Sequence, residues 1–237
     1  MQLNTHEWGS GDRTALLVHG IMSDHRTWRR VGPALAERGY RVIAVDLRGH
    51  GASPRGEGAT PLERYGPGQY AQDLVDTLPI GADLAIGHSL GALTLLGAVE
   101  QLKPARVVYS DPAWKFAQPD TFDPAVFTRF KRATREQITA ISPRWEAADV
   151  EIELATLALW DADSALALSG YRATAALPGA PVVPSLVQLA DRSALIGPQD
   201  AERLRATGYE VRTVAGAGHT IHRDDLAGFM ASLDGWI

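Results

Sequence analysis

The strongest constraint on how this 237-residue chain can fold is one short run, Gly87-His-Ser-Leu-Gly91, set between the apolar Leu84-Ala-Ile86 and the helix-like Ala92–Leu102. An apolar segment followed at once by G-x-S-x-G and then by a helical pattern reads as strand, sharp turn and helix. A serine at the apex of such a turn takes a strained backbone conformation that lifts its hydroxyl clear of the sheet. Glycines two residues to either side are needed because β-carbons there would collide within the turn. The helix that follows points unpaired N–H groups and the positive end of its dipole at the serine. Ser89 is therefore the candidate nucleophile, and a sheet of parallel strands is the frame that can hold it.

The rest of the chain supplies that frame. Short apolar runs at Ala15–Val18, Arg41–Asp46, Asp83–Gly87, Arg106–Ser110, Pro184–Ala190 and Glu210–Ala215 alternate with helical patterns at Thr27–Arg38, Tyr70–Leu78, Leu90–Leu102, Ala194–Thr207 and Asp225–Leu233. Alternation of this kind predicts parallel strands joined by crossovers, and near-continuous apolar runs such as Val42-Ile-Ala-Val45 suit strands covered on both faces. Leu3–Trp8 is expected as an antiparallel edge strand, and the Gly/Pro-rich Gly51–Gly68 as an exposed connection. Between Pro112 and Pro178 only helical patterns occur, at Pro124–Ile141 and Trp145–Leu168. Dividing the length by about 150 residues per domain gives roughly 1.6. The expected organisation is an α/β core over residues 1–111 and 179–237, with a helical cap inserted at 112–178.

Composition narrows the chemistry. With no cysteine, the chain has no thiol nucleophile, no thiolate zinc site and no iron–sulfur cluster. The net charge of −5 is spread without a basic stripe, which argues against a nucleic-acid or anionic-membrane partner. The N-terminal residues lack a basic and apolar leader pattern, so a cytoplasmic location is expected. The longest uncharged stretch, Ala173 to Ala190, carries Pro178, Pro181 and Pro184, so membrane insertion is not expected. His19, Asp24, His25 and His50 match no metal-ligand spacing, and no metal or cofactor is expected.

A serine hydroxyl needs a base, itself oriented by a third group. Gly216-Ala-Gly-His219 follows the last strand-like run, and His219 is the expected base ahead of His222, which begins a helical pattern. The acid should follow a strand between serine and histidine in chain order. Asp191, after Leu186-Val-Gln-Leu-Ala190, is the expected acid, and Asp111, after Val107-Val-Tyr-Ser110, is the alternative, with a capping or turn role otherwise.

With these residues placed, the chain resembles the α/β-hydrolase superfamily over nearly its whole length, the cap being the loosest part. His19-Gly20-Ile21-Met22 resembles that family's oxyanion-hole loop, and Asp46-Leu-Arg-Gly-His-Gly-Ala-Ser53 its loop after the next strand. The resemblance implies that the backbone N–H groups of Ile21 and Leu90 form an oxyanion hole. It also implies structural roles for His19, Asp46 and Arg48, with His50 able to line the cleft. Serine rather than aspartate at the elbow separates the chain from branches that form alkyl-enzyme esters.

The activity this implies is hydrolysis of a carboxylic ester or lactone of a small to medium, largely apolar molecule through an acyl-enzyme. Trp114, Trp145 and Trp160, with Phe116, are the expected aromatic contacts to substrate. Two alternatives stay open: carbon–carbon bond hydrolysis of a vinylogous diketone, and a non-catalytic ligand receptor on the same fold. A monomer or small homo-oligomer acting on a small molecule is expected.

Overall fold

The computed structural model describes residues 1–115, 123, 125–171 and 176–237. Seven strands form one sheet: β1 (Thr5–Trp8), β2 (Arg13–Val18), β3 (Tyr40–Val45), β4 (Leu84–His88), β5 (Val107–Ser110), β6 (Ser185–Ala190) and β7 (Glu210–Val214), in the order β1-β3-β2-β4-β5-β6-β7. Only β1 runs antiparallel, against β3; every other pair is parallel. This is the α/β-hydrolase fold that the sequence pattern predicts, including the antiparallel edge strand.

The helices before β5 are α1 (Val31–Ala36), α2 (Pro61–Tyr65), α3 (Pro67–Thr77) and α4 (Leu90–Leu102). Among the described residues, four more stand between β5 and β6: α5 (Ala125–Thr128), α6 (Arg135–Ile141), α7 (Ala147–Leu159) and α8 (Asp163–Tyr171). The chain closes with α9 (Pro198–Ala206), α10 (Ile221–Asp224) and α11 (Leu226–Ala231).

The period-two alternation of each strand explains why both sheet faces are covered. Leu16, Val18, Val45, Ala85 and Val107 pack with Leu74 of α3 and Leu95 of α4. Their neighbours in sequence, Ala15, Leu17, Ala44, Ile86 and Val108, pack on the other face with Leu35 of α1 and Phe229 of α11. Register then sets the working edge. His88 lies opposite Ser110, and Ser110 opposite Gln188, so the residues that follow β4, β5 and β6 emerge at one end of the sheet.

Several expected helices are interrupted, each for a local reason. Thr27–Arg38 divides into a 3-10 turn at His25–Trp28 and the short α1, whose third residue is Pro33; a proline is accommodated only in a first helical turn. Pro124–Ile141 divides at Ala133, which is extended, because Thr134 and Gln137 form a capping box that starts α6 afresh. Trp145–Leu168 divides at Trp160, whose ψ of 137° leaves the helical region. The stretch 51–68 is not simply an exposed connection: Thr60 and Glu63 form a second capping box over α2, whose Tyr65 is buried. Tyr65 donates its hydroxyl hydrogen to Asp161 Oδ2 at 2.6 Å, and Arg64 pairs with Asp163, so α2 holds the start of α8.

Candidate active site

Ser89 sits between β4 and α4 with φ 53° and ψ −116°. Such a φ is costly for a residue with a side chain, and the surrounding backbone maintains it. The Ser89 N–H donates to Ser110 O at 3.0 Å, and the Ser89 carbonyl accepts from Ala92 N at 3.1 Å, Leu93 N at 3.2 Å and Ala113 N at 3.2 Å. The two elbow glycines are sterically required. A β-carbon on Gly87 would lie 2.6 Å from Gly91 O, and one on Gly91 would run into the Val18 and His19 carbonyl oxygens. On the other side of the serine, a β-carbon on Gly20 would lie 3.1 Å from Ser89 Cβ, which brings the Gly20–Ile21 backbone against the nucleophile.

His219 stands on the loop between β7 and α10 and donates from Nδ1 to Asp111 Oδ2 at 2.6 Å. Asp111 is therefore the carboxylate paired with the histidine, and the expectation for Asp191 is corrected. Asp191 is exposed one residue beyond β6, where its N–H donates to Ala217 O at 3.0 Å. Asp111, by contrast, is buried, with φ 40° and its N–H on Gln188 O at 2.7 Å. That turn folds the carboxylate back beneath His219. Burial alone would raise the Asp111 carboxyl, but the hydrogen bond and charge of His219, with help from Ser193 and the Ala190 N–H, outweigh it and hold the group below the ordinary carboxylate range. The outer nitrogen of His219 is free to face a proton donor. No hydrogen bond joins it to Ser89 in this conformation, a looseness common before substrate aligns the pair.

Ser89, His219 and Asp111 line one cavity of about 800 Å³ between the sheet edge and helices α5–α8. Its wall is predominantly apolar, with Leu93, Phe127, Phe130, Ile138 and Leu168 among the contributors. Ile21 and Leu90 line it too, and no hydrogen bond takes the backbone N–H of either among the described residues. Of the expected aromatic contacts, the structure places only Trp145 on this cavity. Trp114 is instead core, packed edge-on against Tyr109 with ring centres 4.8 Å apart. Trp160 is also core, donating from Nε1 to Ser164 Oγ at 2.6 Å in the cluster with Ile138, Val150 and Leu157. Both expectations are corrected: large rings drawn into apolar clusters are lost to the cavity. Phe116 lies outside the described residues.

His19, His50 and His88 are each held by backbone partners. His19 Nε2 accepts the Leu47 N–H at 2.9 Å, which leaves Nδ1 to donate to Gly20 O at 2.6 Å and fixes the neutral ring that braces the Ile21 loop. His50 is buried away from the cavity and donates from Nδ1 to Arg48 O at 2.9 Å. His88, on the cavity wall, donates from Nε2 to the His219 carbonyl at 2.9 Å and so positions the loop of the base. Burial, reinforced by the proximity of His219, pushes His88 down to about 3 and keeps it neutral. Asp24, His25 and Asp46 come within 4.8 Å of one another, the separation a metal ion would need. Their atoms are already used: Asp46 Oδ1 accepts from His25 N and Nδ1, Oδ2 accepts from Ala52 N and Asn4 Nδ2, and Asp24 is paired with Arg26. The residues do not fit an ion without breaking these bonds.

Sequence reasoning missed three charged groups on the cavity wall: Arg192, and the pair Glu153 of α7 and Arg223 of α10, joined at 2.6 Å. The available signal was spacing: Arg223 lies four residues beyond His219, at the start of a helix.

Solved structures of other proteins share this architecture over almost the entire chain. The N-formylmaleamic acid deformylase from Pseudomonas putida S16 superposes with a TM-score of 0.76 at 22% identity, covering 99% of this chain and 98% of that one. The enol-lactonase from Burkholderia xenovorans LB400 gives a TM-score of 0.72 at 21% identity, covering 99% and 95%. In sequence, the Rattus norvegicus protein named "Putative protein-lysine deacylase ABHD14B" is 36% identical over 85 residues, which are 35% of this chain and 40% of that protein. Epoxide hydrolase A of Mycobacterium tuberculosis is 38% identical over 91 residues, 37% of this chain and 27% of that one, so the chain spans less than half the length of either curated relative. No helix among the described residues is long and apolar enough to cross a membrane. The model of the alpha/beta hydrolase family matches residues 15–231, which carry the Ser89 elbow, Asp111 and His219, and the chain belongs to that family.

Proposed function

We propose that this member of the family is a serine hydrolase that cleaves a carboxylic ester or lactone through an acyl-enzyme, with Ser89 as nucleophile, His219 as general base and acid, and Asp111 as the group that orients His219. The observation that carries the reading is the convergence of Ser89, in its strained elbow, and the His219–Asp111 pair on one largely apolar cavity. His219 takes the Ser89 proton as the hydroxyl attacks the substrate carbonyl, and Asp111 stabilises the imidazolium that forms. The Ile21 and Leu90 N–H groups donate to the oxyanion as it develops, in a site where water competes poorly. His219 then protonates the leaving alcohol, and a water deprotonated by the same histidine releases the acid. This chemistry needs no cofactor. A deformylase and an enol-lactonase with the same fold are consistent with it. In this reading α5–α8 act as a cap whose apolar wall selects the acyl chain, and the substrate is a small molecule.

The test is a series of 4-nitrophenyl esters graded from acetate to decanoate, assayed with the wild type and with Ser89→Ala. Turnover with a chain-length optimum, reduced by at least about 10³-fold in the variant, is the expected result. Undiminished turnover in Ser89→Ala, or no turnover of any ester by the wild type, contradicts the reading.

A further inference from the structure

Arg223 is a polar group on the cavity wall that the hydrolytic reaction does not use. Arg223 is 2% exposed, and among the described residues Nη1 alone of its guanidinium nitrogens has an acceptor, Glu153 Oε2 at 2.6 Å; Nε and Nη2 are buried without one. The Trp145 ring lies over the guanidinium with its centre 4.4 Å from Cζ. Ser23 Oγ, on the wall of the same cavity, is likewise buried and unpartnered. The segments carrying Ser23 and Arg223 are tied together by the 2.8 Å hydrogen bond between Thr27 Oγ1 and His222 Nε2. Buried donors normally find partners, because an unmet N–H keeps the full penalty of leaving water. Two unmet donors and a hydroxyl beside a largely apolar cavity call for an acceptor that no described residue supplies.

Charge decides what kind of oxygen. Arg223 is already paired with Glu153, whose carboxyl burial pushes above the usual range, with Asp24 and Asp149 adding to the rise, and Arg192, the other cation on the wall, is exposed to water. A second carboxylate would bring further negative charge next to Glu153, whereas a neutral carbonyl oxygen would accept the N–H groups and leave the balance unchanged. We propose that Arg223, together with Ser23, forms a recognition subsite for a neutral carbonyl oxygen, a keto or amide group carried by the substrate at a distance from the scissile acyl bond. Trp145 covers the guanidinium in this conformation and yields as the oxygen arrives. The proposal rests on the hydrolase reading of the cavity and adds the class of substrate it takes.

Three matched esters test it: 4-nitrophenyl hexanoate, 4-nitrophenyl 5-oxohexanoate and the mono-4-nitrophenyl ester of glutaric acid. The wild type should favour the oxo ester over the hexanoate by about tenfold in kcat/KM, although the oxo chain is the less hydrophobic, and should not favour the carboxylate-bearing ester. Arg223→Lys keeps a cation opposite Glu153 but removes the Nε and Nη2 donors, and should bring the oxo-to-alkyl ratio down to about one. Should that variant fail to fold, Ser23→Ala should lower the same ratio by about threefold. A ratio near one in the wild type, a ratio unchanged by either substitution, or preference for the carboxylate ester overturns the proposal. Calorimetric titration of the same esters into Ser89→Ala separates the two claims. Roughly tenfold tighter binding of the oxo ester there upholds the subsite even if the wild type hydrolyses none of them; equal binding rejects it whatever the hydrolytic result.

Discussion

At the scale of single residues, the site depends on which carboxylate stands behind His219. Asp111 is buried and accepts the Nδ1 hydrogen at 2.6 Å, while Asp191 is exposed and takes no part in that bond. Asp111→Asn keeps the shape but removes the charge that favours the imidazolium, so kcat on a 4-nitrophenyl ester should fall by about 10³- to 10⁴-fold. Asp191→Asn should change it by less than about threefold, and the opposite ranking in steady-state rates would return the role to Asp191. The sequence placed Ser89 and His219 because Ser89 is bracketed by glycines and His219 is preceded by two, and these announce tight loops. It favoured Asp191 over Asp111, and the structure reverses that order; both follow a strand that ends at the same sheet edge. The deciding facts are the φ of 40° at Asp111 and its backbone bond to Gln188, and neither leaves a mark in the local sequence. The tryptophans misled for a related reason. Their composition advertises burial, and only packing tells burial in a core from burial against a cavity.

At the scale of elements, the strands were legible because apolar runs covered on both faces leave a simple pattern, and α4 was read to its ends, Leu90 and Leu102, because an elbow starts it. The inserted helices were legible only as a block. Their breaks depend on capping at Thr134 and on the turn at Trp160, which interrupt an unbroken helical pattern. The docking of α7 on the core was not legible either. Glu146, Asp149, Glu153 and Thr156 recur at helical spacing on one face of α7 or at its cap, and they meet Arg29, Arg30, Arg223 and Asp24 across the interface. A polar stripe of this kind reads from sequence as a solvated face. Asp149 is the buried centre of it, accepting from Arg29 Nε at 2.8 Å and Nη2 at 3.0 Å. Arg29 keeps some contact with water, so the loss on Asp149→Asn is discounted to about 1–2 kcal/mol, a fall in Tm of roughly 2–8 °C. An unchanged Tm by calorimetry would show that α7 is held by its apolar contacts alone.

At the scale of the whole molecule, four buried histidines make stability depend on pH. His19, His50, His88 and His222 are all pushed below the ordinary 6.5, burial being the largest cause in each, and His50 and His88 reach about 3. The unfolded chain takes up these protons near pH 6.5 and the folded chain refuses them, so stability present at neutral pH is lost as pH falls from about 6.5 toward 3. His25 acts in the opposite sense. Its hydrogen bond to Asp46 raises it, and its contribution is present below pH 6.5 and lost as pH rises through its folded value. One half-exposed group against four buried ones does not reverse the trend. Thermal unfolding should show Tm at pH 5 at least about 5 °C below that at pH 7.5, and equal values would mean that the histidines are charged or solvated in the folded state.

The central claim concerns Ser89, and covalent labelling examines it most directly. Incubation of the folded protein with a fluorophosphonate, followed by mass spectrometry of its peptides, should place a single adduct on Ser89, with labelling abolished in Ser89→Ala and slowed by orders of magnitude in His219→Ala. An unlabelled Ser89 in folded wild-type protein, or an adduct on another residue that persists in Ser89→Ala, would contradict the account.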